Sequence, residues 1–236
     1  MLATTKQEAR VIEAPYEGYT VTTRNYMGTV AQIGDGGPQA FMANLPPGKV
    51  IHSHFHPVDQ FQVFFGTEGS FFGRNAMTPL YVQYADAYTP YGPFGAGSTD
   101  LNFFTLRAKA TSEHFVMPES RSKMIRKAGR LLQSSVVLGG ACGKPTCSTA
   151  FIEPQSDGLA AYLVSVGPDE RIGAPFLENA GGQYCIVVSG EMGCDAGQFP
   201  FQSCLFVGPN EGPLEMRAKG PDGFEVLVLQ YPRALQ

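Results

Sequence analysis

Short runs rich in β-branched and aromatic residues, each closed by glycine or proline, recur along the chain, and this rhythm predicts strands rather than helices. Strands are expected at Thr20 to Thr23, at Thr29 to Ile33 (broken at Gly34-Asp35-Gly36-Gly37-Pro38), and at Ala40 to Leu45. The turn Pro46-Pro47-Gly48 precedes an alternating stretch carrying histidines at 52, 54 and 56. Gln60 to Phe65 reads as a return strand, and the turn Gly66-Thr67-Glu68-Gly69 leaves Glu68 solvated. Ser70 to Phe72, Leu80 to Tyr84 and Leu101 to Arg107 complete the first half, with Thr89 to Gly95 as an ordered loop. One stretch breaks the rhythm. Across 119–133, Ser120 stands as an N-cap and Met124, Ile125, Ala128, Leu131 and Leu132 recur at helical spacing, predicting a helix with a solvated basic face.

After that stretch the strand pattern returns, and the two halves overlay. Phe41 to Pro47 matches Tyr162 to Pro168 at an offset of 121, while Gln60-Phe61 matches Gln183-Tyr184 and Asn102 to Leu106 matches Glu225 to Leu229 at 123. A nearly constant offset through three anchors indicates a tandem duplication of one β-unit. The histidine positions of the first copy hold Gly173, Pro175 and Leu177 in the second, so a metal, if bound, belongs to the first half.

Composition narrows the setting. Hydrophobic residues make up 43% and charged residues 16% of 236, with 28 glycines and 18 prolines, as suits a folded, turn-rich chain. The formal net charge of −4 gives no reason to expect nucleic acid or an anionic membrane as partner. No apolar run matches a signal peptide or a bilayer span, and the five cysteines form no even framework, so a reduced, cytoplasmic setting is expected. Cys142 and Cys147 are a weak pair for zinc, and buried inert thiols are the simpler reading.

Three of the four histidines sit at alternate positions, which a strand would project from one face. Imidazole is the commonest side-chain metal ligand, so His52, His54 and His56 point to a metal. Residues two apart on a strand are roughly 6.6 Å apart and those four apart roughly 13 Å. His54 therefore shares an ion with either neighbour more readily than His52 does with His56. His114 is expected to have a surface or structural role.

The duplication, together with Gly48-x5-His54-x-His56-x3-Gln60, resembles the cupin superfamily, and the whole chain resembles a bicupin. Gln60 replaces the motif glutamate, the closing glycine falls at Thr67, and Gln183-x6-Gly190 keeps the frame in the second half. In Pro90-Tyr91-Gly92-Pro93-Phe94-Gly95 the last ligand histidine of the family's second motif is replaced by Gly95. The resemblance implies an all-β fold of two tandem jelly-roll barrels joined by a short helix: an arm at 1–16, a metal-site cupin at 17–118, a linker helix at 119–136 and a degenerate cupin at 137–236. It implies His54 and His56 as ligands, with Gln60 and His52 as candidates to complete the set, and a metal of the Fe, Mn, Ni or Zn group, iron first. Gln62, on the face of Gln60, is expected in the substrate pocket.

By resemblance, the expected activity is a metal-dependent dioxygenase acting on a small enolisable or phenolic compound, with His52 or Tyr91 as base. A metal-assisted lyase or isomerase and a non-catalytic small-ligand-binding bicupin stand as alternatives. Exchange of N-terminal strands within residues 1–34, as in other cupins, implies a homodimer.

Overall fold

The computed structural model describes residues 1–16, 18–28, 36–125, 129–140, 145–219 and 221–233. The chain divides into two compact units, Arg10–Val136 and Met1–Ala9 with Val137–Gln236. Both are built from antiparallel strands, and the described residues include only one helical turn, Arg121–Lys123.

In the N-terminal unit a seven-stranded sheet runs Leu131–Ser135, Tyr81–Ala85, Gln60–Phe65, Leu101–Arg107, Gln39–Leu45, Tyr19–Met27 and Arg10–Tyr16. A smaller sheet orders Val50–Ile51, Phe94–Gly95, Phe71–Phe72 and Asn75–Ala76. Leu45, Phe64, Phe72, Phe94, Leu101 and Phe103 are buried in one cluster. Phe64 stacks on Phe103 at 5.3 Å, and Phe94 meets Phe103 edge-on at 5.2 Å. Each such side chain contributes about 1.5–3 kcal/mol on leaving water.

The C-terminal unit repeats the order with Leu2–Thr4, Cys204–Val207, Ala180–Cys194, Phe224–Pro232, Ala160–Val166 and Cys147–Ile152. Strand for strand, Tyr81–Ala85 corresponds to Cys204–Val207, Gln60–Phe65 to the start of Ala180–Cys194, and Leu101–Arg107 to Phe224–Pro232. This is the structural form of the internal repeat. Its interior differs, because Cys185 and Val228 stand where the first copy has Gln62 and Thr105, and both join an apolar core with Val187, Leu205, Met216 and Val226. The second copy fills its lumen with hydrocarbon.

Two expectations about the connections are corrected. Residues 119–136 do not form a linking helix. Ser120 makes no side-chain cap, a single 3₁₀ turn covers Arg121–Lys123, and Leu131–Ser135 pairs antiparallel with Tyr81–Ala85. Pairing along that edge gives the segment backbone partners that an isolated short helix lacks, and its alternating exposure has the period of a strand. Asp86 fixes the entry, accepting from the backbone N–H of Arg130 at 2.8 Å and from its guanidinium at 3.0 Å. Ala128 and the basic residues Arg126 and Lys127 lie outside the described residues.

Residues 1–16 do not form one free arm. Leu2–Thr4 pairs with Cys204–Val207, and Arg10–Tyr16 pairs with Tyr19–Met27. The expected strand at 29–33 and the start of its break, through Asp35, lie outside the described residues, as does Cys142. Cys147 is exposed, whereas Cys185, Cys194 and Cys204 are buried thiols. Burial pushes the Cys185 thiol up to about 12, so it is unreactive at neutral pH.

Candidate ligand-binding site

The N-terminal unit encloses a cavity of about 360 Å³. Its walls are mainly apolar, with Val21, Phe41, Ala43, Ile51, Phe94 and Phe103 among them. Its polar groups include His54, His56, Gln60, Gln62, Tyr91, Arg107 and His114. They come from different strands and from the loops at 56 and 111–114, so the fold brings scattered sequence positions to one surface.

The histidine stretch is not one continuous strand. Val50–Ile51 and His54–Phe55 are separate short strands, and the chain breaks from the ladder at 52–53. Alternation therefore fails. His52 is exposed and outside the cavity lining, so it is placed neither as a ligand beside His54 nor as a base at the pocket. His54, Phe55 and His56 are all buried, and the His54 and His56 rings lie 5.2 Å apart at 85°. His54 pairs with Phe115–Val116 on one side and bridges to Tyr91 on the other.

Both buried imidazoles have a fixed tautomer. His54 Nδ1 lies 2.7 Å from the carbonyl of His52, and His56 Nδ1 lies 2.5 Å from that of Glu113. A carbonyl only accepts, so each Nδ1 carries the proton and each Nε2 keeps its lone pair. Burial holds His54 down to about 3, with the charges of His114 and Arg107 adding and the carbonyl contact opposing. His56 lies well below the ordinary histidine value, first through burial and then through the Arg107 guanidinium. Both rings are neutral at pH 7.

Arg107, 5% exposed, is the centre of the polar network. Its Nε donates to Gln60 Oε1 at 2.8 Å, and Nη1 donates to Gln39 Oε1 at 2.7 Å and to the Thr111 carbonyl at 3.1 Å. Its Nη2 lies 3.2 Å from His56 Nε2, which with Nδ1 protonated must be the acceptor. Each of these acceptors is neutral. Gln60 then donates from Nε2 to the Tyr91 hydroxyl at 2.5 Å. Burial raises the Tyr91 hydroxyl well above its ordinary value, so it is protonated throughout the neutral range and is a poor base. Deeper in the wall, Gln62 Oε1 accepts from Gln83 Nε2 at 3.0 Å.

His114 is exposed, as expected of a surface histidine, yet its ring also borders the cavity, and Tyr91 takes the place beside His54. His114 lies across from the pair, its ring 4.5 Å from that of His54 and stacked at 5.4 Å on that of His56. Its separation of nearly sixty positions from the motif hid this placement. Gly95 is not the position that faces the imidazoles. A Cβ there would lie 2.6 Å from the Phe71 ring and 3.1 Å from the Lys49 carbonyl. Tyr91 reaches His54 instead, with ring centroids 4.5 Å apart. Arg107 itself carried no motif signal, although its counterpart in the repeat, Gln230, is also buried.

These residues do not fit a divalent transition ion as they stand. Among the described residues no group of three or more histidine, cysteine, aspartate or glutamate side chains is placed to hold a metal. Of the expected ligand atoms, His56 Nε2 and Gln60 Oε1 both face the Arg107 guanidinium. Two unit charges 4 Å apart repel by about 4 kcal/mol at an effective dielectric of about 20, hence about 8 kcal/mol for a dication there. Among the described residues no carboxylate lines the cavity to offset that.

No family model matches the sequence. No curated protein matches it either. Among solved structures, the bacterial pirin YhhW from Escherichia coli in complex with nickel(II) superposes with a TM-score of 0.61 at 14% identity, over 98% of this chain and 99% of that one. Oxalate decarboxylase from Bacillus subtilis, studied for its Mn(II) centres, superposes with a TM-score of 0.62 at 11% identity, over 100% of this chain and 78% of that one. The chain thus has the bicupin fold, an all-β pair of tandem barrels. In that fold the N-terminal unit carries the cavity and the C-terminal unit a packed core.

Proposed function

We propose that the N-terminal barrel binds a small, largely apolar organic anion, a carboxylate or phenolate, with its charged group directed to Arg107 and its body against Phe41, Ile51, Phe94 and Phe103. The observation that supports this reading is a buried guanidinium at the polar side of a cavity of about 360 Å³ walled by hydrocarbon. The two neutral imidazoles and the Tyr91 hydroxyl add polar contacts without adding charge. This is the ligand-binding alternative among the functions expected from sequence. It is tested by calorimetric titration with matched pairs of monocyclic carboxylates and their primary amides. A buried charge-assisted contact is worth about 2 kcal/mol, so the acid binds about 30-fold more tightly than its amide. Equal affinities for acid and amide reject the reading.

A second reading is favoured by the Nδ1 anchoring of His54 and His56, the arrangement that prepares Nε2 for coordination. It retains a metal-dependent oxidoreductase, a dioxygenase of enolisable or phenolic compounds, or a lyase using the same Lewis acid, with Fe, Mn, Ni or Zn. Metal analysis of protein purified without an affinity tag, followed by oxygen uptake on diketones and phenols, tests it. Absence of stoichiometric metal and of turnover rejects it.

A further inference from the structure

We propose that the Arg107 guanidinium takes the place that a divalent cation would need in this barrel, so that the cavity is organised around a fixed protein cation instead of a dissociable metal.

Three observations converge on it. First, the guanidinium makes the contacts a metal would make. Nη2 lies on His56 Nε2 at 3.2 Å and Nε on Gln60 Oε1 at 2.8 Å, two of the atoms otherwise suited to coordination. Second, the residue at 60 suits a guanidinium. An amide both accepts from Arg107 and donates to the Tyr91 hydroxyl at 2.5 Å, which an ionised carboxylate cannot do. A carboxylate there would also add a negative charge against the arginine, which the neutral amide does not. Third, the phenol ring of Tyr91 lies beside His54 with centroids 4.5 Å apart, and a Cβ at Gly95 would meet the Phe71 ring and the Lys49 carbonyl instead of the imidazoles.

The exchange is reciprocal in physical terms. The same neutral His56 Nε2 lone pair serves a metal or a guanidinium donor, but not both at short range. Gln39, on a neighbouring strand, and the carbonyl of the loop residue Thr111 brace Nη1, so the arginine is held at the imidazole side.

The inference concerns what occupies the cation position and not which anion binds, so the anion titration judges the preceding reading separately. The test is titration of the full chain with Ni(II), with bound metal counted and fold checked by circular dichroism. The wild type is expected to bind nickel no more tightly than a His54→Ala, His56→Ala double variant. A Gln60→Glu, Arg107→Gln double variant, which restores a carboxylate and removes the guanidinium, is expected to gain one nickel per chain with affinity raised about tenfold or more. Adding His54→Ala to it should abolish the gain. One nickel held by the wild type and lost with the two histidines overturns the inference. So does a folded Gln60→Glu, Arg107→Gln variant that gains none. Where that variant does not fold, the comparison of wild type with the histidine variant decides alone.

Discussion

Acidification from pH 7 to pH 5 should destabilise this protein through two buried imidazoles. His54 and His56 are both held neutral in the folded state, His54 down to about 3. In the unfolded chain each titrates near 6.5. Below that value the unfolded chain binds protons that the folded one refuses, so unfolding becomes easier as pH falls, and the loss continues until the folded-state value is reached. Each imidazole contributes up to about 1.4 kcal/mol per pH unit, so the pair costs about 4 kcal/mol between pH 6.5 and pH 5. The assay is urea denaturation followed by far-ultraviolet circular dichroism at several pH values, beside a His54→Gln, His56→Gln variant. Asp86, held low by Arg130 despite opposing burial, titrates below the range and does not confuse it. A wild-type stability that is flat from pH 7 to pH 5, or a slope unchanged in the variant, would refute buried neutral imidazoles.

Three other outcomes follow from the same geometry. Gly95→His should not create a metal site and should cost about 1–3 kcal/mol in thermal unfolding, because its Cβ meets the Phe71 ring at 2.6 Å; nickel bound by this variant would contradict the placement. Asp86→Ala removes the acceptor of Arg130 and of the Tyr84 hydroxyl at 2.8 Å, so it should cost about 3 kcal/mol. Hydrogen exchange should then quicken in Leu131–Ser135, and unchanged protection there would disprove the role of that ion pair as a clasp. His52→Gln should leave stability and ligand affinity within about 0.5 kcal/mol of wild type, since only the backbone carbonyl of His52 touches the site. A larger calorimetric effect would return His52 to the cavity.

The architecture was legible because it depends on redundant signals. The offset linking Gln60 to Gln183 and Asn102–Leu106 to Glu225–Leu229 survives as the same strand order in both units. The 119–133 segment misled because its helical spacing was local, whereas the edge of Tyr81–Ala85 that claims Leu131–Ser135 is distant in sequence. Of the residues singled out from the pattern, His54, His56, Gln60, Gln62 and Tyr91 line the cavity. Strand alternation put His52 with them because it assumes an unbroken ladder, and the chain leaves the ladder at 52–53. Arg107 was invisible as chemistry. It ends a strand whose apolar pattern reads as core, and only the register of Leu101–Arg107 beside Gln60–Phe65 brings it to the imidazoles.

Diffraction from one crystal soaked in both bromide and Ni(II), with anomalous data at each absorption edge, addresses the fixed-cation account most directly. The account predicts a bromide peak against the Arg107 guanidinium and no nickel peak between the two buried imidazoles. Nickel within about 2.1 Å of both His54 Nε2 and His56 Nε2, with the arginine displaced, would contradict it.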